Sequence, residues 1–133
     1  MERIALDTDV LIDFLRGKNS AVSFVKRLRD EGAHLATTII NAFELYWGAY
    51  RLGGAHRVTQ VDRLLNVLYV LPLTLSVVKV AGEEMAYLES VGLPVDVRDL
   101  LIGVIAKEHG YAIATKNIEH FNRIRGLSIL RYS

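Results

Sequence analysis

The chain has 133 residues, a net charge of +1, an apolar fraction of 51% and a mean hydropathy of +0.24. That length suits one domain, residues 1–133, with a sizeable core; the near-neutral charge argues neither for nor against a nucleic-acid partner, and no apolar run reaches the ~18 residues of a membrane span. Absent cysteine excludes disulfide scaffolds and thiolate metal sites, and an N-terminus with Glu2, Arg3 and Asp7 around a very short apolar stretch is not a secretory signal, so a cytoplasmic protein is expected.

Strand-like apolar runs alternate with amphipathic helical stretches, which predicts an α/β domain with a mainly parallel sheet. The first strand is expected over Arg3–Asp7, followed by a short helix, Val10–Leu15, capped by Asp9 and closed by Gly17. Asn19 or Ser20 starts a second helix to Glu31, with Val22, Val25 and Leu28 at helical spacing. A short strand, Leu35–Thr37, precedes a helix over Ile39–Leu52 capped by Thr38, and a further helix is expected near His56–Leu68. Tyr69–Pro72 reads as extended. Thr74 or Ser76 opens the next helix, whose Val77, Ala81, Met85 and Leu88 make one stripe. Val97–His109 is apolar nearly all round and predicts a buried helix. Tyr111–Ala114, a helical turn over Asn117–Ile124 and a last strand over Leu127–Arg131 complete the chain.

Most acids fall on expected solvated faces, Asp30-Glu31 and Glu83-Glu84 among them. Three do not. Asp7 ends a core strand, Glu44 sits in an otherwise apolar helical run with only Asn41 for polar company, and Asp99 opens the buried helix. Each has an ordinary reading: a turn Asp, an amphipathic-face Glu, or an acid favoured by the helix dipole. Together they fall on one edge, because strand C-termini and the starts of the following helices share a side in a parallel sheet. Carboxylates meeting there would repel and raise one another's pKa unless a cation lay between them. A hard divalent ion, Mg²⁺ or Mn²⁺, suits oxygen ligands. The scattered histidines, His34, His56, His109 and His120, offer no helical zinc spacing.

The ordered set "LDTDVLIDFLRG", "TTIINAFELYWGA" and "DLLIGVIAKEHGYAIATKN", with "HF" following, resembles the PIN-domain ribonucleases, and among them the VapC-type toxins of toxin–antitoxin pairs. The resemblance runs through essentially the whole chain. It implies a three-layer α/β/α PIN-like fold with four or five strands, and an endoribonuclease that uses Mg²⁺ or Mn²⁺ held by Asp7, Glu44 and Asp99. It adds Asn117, after Thr115, as a fourth ligand position, where a neutral amide departs from the four-acid version of the pattern. Asp96, three residues before Asp99, is a further candidate for the metal shell. Thr8 and Thr115 would support the carboxylates by hydrogen bonds. A VapB-type antitoxin and a homodimer are implied as partners.

Basic side chains must offset the acids if RNA is to approach. Arg16, Lys18, Arg51, Arg98, Lys116 and Arg123 lie near element ends on the expected site side and are candidates for phosphate contacts. Tyr46, Trp47 and Tyr50 cover two faces of one helix; packing in the core or against a second subunit is the first reading, and base stacking the second. Two rival functions are open at this stage. Asp7-Thr8-Asp9 is similar to the D-x-D motif of haloacid-dehalogenase-like phosphatases, although Val10 replaces the usual Gly and no downstream acidic pair follows. A catalytically inactive PIN-like module that binds RNA or protein is the other.

Overall fold

Alternation along the first strand sets the layers. Ile4 and Leu6 face one side of the sheet and Ala5 the other. The structure is a computed structural model in which residues 2–133 are described. In chain order the elements are β1 (Arg3–Leu6), α1 (Thr8–Leu15), α2 (Asn19–Asp30), β2 (His34–Thr38), α3 (Ile39–Leu52), α4 (Ala55–Val67), β3 (Tyr69–Leu71), α5 (Leu75–Ser90), α6 (Val97–Glu108), β4 (Ala112–Thr115), α7 (Ile118–Phe121) and β5 (Ile129–Arg131). The sheet has five strands in the order β3-β2-β1-β4-β5, and every neighbouring pair is parallel. Ala5 of β1 is in register with Ala36 of β2 and Ile113 of β4.

Helices cover both faces, as a parallel sheet requires. Val10, Leu11, Phe24, Leu45 and Leu64 pack with Ile4, Leu6 and Ala114 on one side. Val77, Leu88, Ile102 and Ile105 pack with Ala5, Ala36 and Ile113 on the other. The three-layer α/β/α expectation holds, with all strand pairs parallel. Burial of the run Ile102–Gly103–Val104–Ile105–Ala106 explains why α6 shows almost no polar face.

Three local expectations are corrected. Asp7, not Asp9, is the N-cap of α1: its backbone is still extended, and its carboxylate accepts from the Thr8 N–H. Asp9 lies inside the first turn. In α2 the inward stripe is Ala21, Phe24 and Leu28, while Val22 is exposed. Glu84 is not solvated: it is 3% exposed, accepting from Arg125 Nη2 at 2.9 Å and from the Arg125 backbone N–H at 3.1 Å. Burial pushes the Glu84 carboxyl up, but the Arg125 hydrogen bonds and charge outweigh it and hold it below the usual range. The Arg125 guanidinium also lies 3.6 Å from the Tyr87 ring centre, which ties the segment before β5 to α5.

Candidate metal centre

The chain leaves β1 to build β2 and β3 on one side of it, then returns to place β4 on the other. The crevice at the C-terminal ends of β1 and β4 is therefore the topological switch point, where α/β sheets bind ligands. Asp7 stands there, its backbone N–H donating to the Ala114 carbonyl at 3.0 Å. Its carboxylate is 5% exposed and accepts from Thr8 N–H (2.9 Å), Asn41 Nδ2 (3.0 Å) and Thr115 Oγ1 (2.7 Å). Burial, then the neighbouring Asp9 carboxylate, push the Asp7 pKa up to about 6, against those hydrogen bonds.

Asn41 organises the other half of the centre. Its Oδ1 accepts from the Thr38 N–H (3.2 Å) and hydroxyl (2.8 Å), while its own N–H donates to Thr38 Oγ1, a capping box that starts α3. The amide orientation this fixes points Nδ2 at both Asp7 and Thr8 Oγ1, the latter at 2.9 Å. Thr8 in turn donates to Glu44 Oε1 at 2.7 Å. Asp7 and Glu44, 37 positions apart in sequence, thus share one hydrogen-bonded network.

Asp99 occupies the first turn of α6 at the same rim and is half-buried. Burial raises its pKa, while His120 nearby acts in the opposite sense, with Nδ1 3.2 Å from Asp99 Oδ2. Arg98 brings α6 to Glu44, with Nη1 3.5 Å from Oε2, and its Nε is 3.8 Å from Asp96. Asp96 is exposed and caps α6, accepting from the Arg98 N–H at 2.9 Å. Among the described residues no three His, Asp or Glu side chains stand close enough together to enclose an ion unaided. Glu44 instead faces the Arg98 guanidinium and Asp99 the His120 ring.

On the β4 side, the Thr115 hydroxyl accepts from the Asn117 N–H at 2.9 Å, which sets the turn carrying Asn117. Asp9 closes that turn, with Oδ2 accepting from the Lys116 N–H at 2.9 Å and Oδ1 from the Val10 N–H at 2.7 Å. Asp9 thus serves the backbone of both turns, and the comparisons below favour a different family from the D-x-D phosphatases.

The basic candidates divide. Arg16 and Arg51 are exposed and, with Arg57, line a cleft of about 170 Å³ between α1, α3 and α4 whose wall includes Leu45, Val61 and Glu44. Lys116 donates to Asp13 Oδ2 at 2.8 Å, and Lys18 stands 3.7 Å from the same oxygen. Arg123 donates to the Pro94 carbonyl at 2.9 Å. Sequence reasoning missed Asn41 as the hub, Asp13 as a buried acid and His120 as the partner of Asp99. The signal for Asn41 was present: it is N3 to a Thr cap and one helical turn before Glu44.

The donor set fits a hard divalent cation. Of the acids that are buried, Asp13 is neutralised by Lys116 and Glu84 by Arg125, whereas no basic side chain comes within ion-pair distance of Asp7 among the described residues. A buried carboxylate with an elevated pKa, oriented by three neutral donors and beside a second acid, lacks a positive charge that an oxygen-preferring ion would supply.

Comparison with known proteins identifies the family and the fold. The PIN domain family model matches residues 4–127. Ribonuclease VapC10 of Mycobacterium tuberculosis is 32% identical over 118 residues, covering 89% of this chain and 85% of that protein. Ribonuclease VapC1 of Rickettsia felis is 25% identical over 134 aligned positions, covering 98% and 96%. Among solved structures, DNA-bound VapBC from Salmonella typhimurium superimposes with a TM-score of 0.87 at 25% identity over the full length of both chains. The match to nearly all of the chain, on a five-stranded parallel sheet whose switch point carries Asp7, places the protein in the PIN-domain family.

Proposed function

We propose that this PIN-domain protein is a divalent-metal-dependent endoribonuclease, acting in the cytoplasm as the toxin of a VapBC-type pair. The observation that carries the reading is Asp7: buried, held by Thr8, Asn41 and Thr115, and without a basic partner. Asp7, Glu44 and Asp99 would hold Mg²⁺ or Mn²⁺, with Asn117 and Asp96 at the edge of its shell. Bound there, the ion supplies positive charge for the scissile phosphate and a nucleophilic water at neutral pH.

The chain's own residues do the rest. Asn41 and Thr115 hydrogen-bond the Asp7 oxygens and would hold them in place as supporting hydrogen bonds do for metal ligands. Thr8 holds Glu44 on the same side. Arg98 and His120, which now balance Glu44 and Asp99, are placed to meet RNA phosphate once those acids turn to a cation. Arg16, Arg51, Lys18, Lys116 and Arg123 add positive charge around an acidic pocket. The cleft lined by Arg16, Arg51, Leu45 and Val61 suits an amphipathic segment of a VapB-type antitoxin, and a homodimer completes the assembly we propose.

The test is cleavage of end-labelled RNA with Mn²⁺ or with chelator. Metal-dependent internal cuts leaving 5′-phosphate and 3′-hydroxyl ends are expected, with Asp7→Asn reducing the rate by at least ~10³-fold, the scale of losing a principal electrostatic group. Cleavage unaffected by chelator, or retained by Asp7→Asn, overturns the proposal; no cleavage under any condition favours the inactive binding module.

A further inference from the structure

We propose that Asp13 is a positioning residue of the metal centre: through Lys116 it holds the turn 115–117, which brings Thr115 onto Asp7 and carries Asn117. The proposed mechanism gives Asp13 no task, yet it is only 9% exposed and shares a face of α1 with Asp9, one helical turn before it. Lys116 spans the two acids. Its backbone N–H donates to Asp9 Oδ2 at 2.9 Å and its ammonium to Asp13 Oδ2 at 2.8 Å. The Tyr132 hydroxyl, from just past β5, donates to the same Asp13 oxygen at 3.0 Å, and its ring centre lies 5.3 Å from the Lys116 ammonium. Tyr132 is 1% exposed, and its backbone N–H donates to the Thr115 carbonyl at 3.0 Å.

The turn is thus fastened to α1 by both ends of Lys116 and to the chain beyond β5 by Tyr132. On its inner side the Thr115 hydroxyl donates to Asp7 Oδ2 at 2.7 Å and accepts from the Asn117 N–H at 2.9 Å. A continuous path therefore runs from Asp13 through Lys116 and Thr115 to Asp7. Stability alone does not account for it, because replacing a buried ion pair with apolar residues is often neutral or stabilising. Directional hydrogen bonds add position, and losing such a partner costs a metal site about 10- to 100-fold in affinity. Glu84 and Arg125 supply a control: among the described residues they hydrogen-bond each other but no residue of the centre. The inference rests on the metal-dependent reading of the site and adds to it what holds the β4 side in place.

Lys116→Met keeps an apolar stem beside Tyr132 and leaves Lys18, 3.7 Å from Asp13, to balance the acid, so the fold should survive. Calorimetric titration of Mn²⁺ into the full-length protein is expected to show about tenfold weaker binding in Lys116→Met and in Asp13→Asn. Combining the two should add no further loss, because both break one path. Lys116→Arg should recover most of it. The sign separates position from charge, since removing a lysine near a cation site would by electrostatics alone tighten binding. Glu84→Gln should lower the Tm and leave Mn²⁺ affinity unchanged. In chelator, the Lys116 and Asn117 amides should exchange with solvent faster in Lys116→Met than in wild type, a readout that needs no metal. Equal or tighter Mn²⁺ binding in Lys116→Met, losses that add in the double variant, an equal loss in Glu84→Gln, or unchanged amide exchange each overturns the proposal. If exchange quickens but the wild type takes up no Mn²⁺, the hold of Asp13 on the turn stands and the metal reading alone falls.

Discussion

At the scale of single residues, the chain sacrifices stability at Asp7. The folded-state pKa is about 6 against an ordinary 3.8, so the native protein binds this proton more tightly than the unfolded chain does. Stability from this group is then greatest below pH ~4 and falls as pH rises through about 6, by roughly 3 kcal/mol in all. In chelator, Asp7→Asn should therefore be more stable than wild type at pH 7.5, by about 1–3 kcal/mol, with the gain vanishing near pH 4; paired urea melts at the two pH values check this. Asp13 has the opposite sign. The Lys116 hydrogen bond, outweighing burial and helped by Tyr132 and the charges of Lys116 and Lys18, holds it below the usual carboxylate range. Its contribution is present above the ordinary Asp range and lost as pH falls through its depressed value. Asp7 and Asp13 both belong to the Asp7–Leu15 cap-and-helix segment; Asp7 is shifted up by burial and the Asp9 charge, and Asp13 down by its basic partners.

At the scale of elements, the contacts that present the acids are close and specific. α6 carries Asp99 and is seated against the segment from α7 to β5. A Cβ on Gly103 would overlap Ile124 and come within 3.1 Å of Leu127 Cδ2, both side chains packed in the core. Gly103→Ala is expected to destabilise the fold by about 1–3 kcal/mol, lowering the thermal midpoint by roughly 3–10 °C; calorimetry measures it. The capping box of α3 is a second such device. It fixes the side-chain orientation of Asn41, and through Thr8 the position of Glu44. The helix starts were legible from their caps at Thr38 and Thr74. α1 was not, because Asp7 and Asp9 are equally good N-cap residues by type, and only pairing of Asp7 with β4 decides which one leaves the strand last.

At the scale of the whole molecule, a parallel sheet with helices on both faces brings strand ends and helix starts from distant segments onto one rim. An ion that binds only this assembled rim stabilises the folded state by mass action. Mn²⁺ at about a hundredfold above its Kd should add close to ~2.7 kcal/mol, a rise of roughly 5–10 °C in Tm, and Asp7→Asn should show none of it; a thermal-shift titration reads both. The sequence alone determined the α/β alternation, the buried character of α6, the caps at Thr38 and Thr74 and the three acids set among apolar neighbours, because periodicity and cap chemistry are local properties. It did not show that Glu84 and Asp13 are buried, or that Arg98 and His120 balance Glu44 and Asp99, since their partners lie on other elements. Arg125 is 41 positions from Glu84, Tyr132 is 119 from Asp13 and Lys116 is 103 from it. Whether an acid in an amphipathic pattern is solvated, paired or left without a counter-charge depends on which cation the fold carries to it, and that is settled only when the layers close.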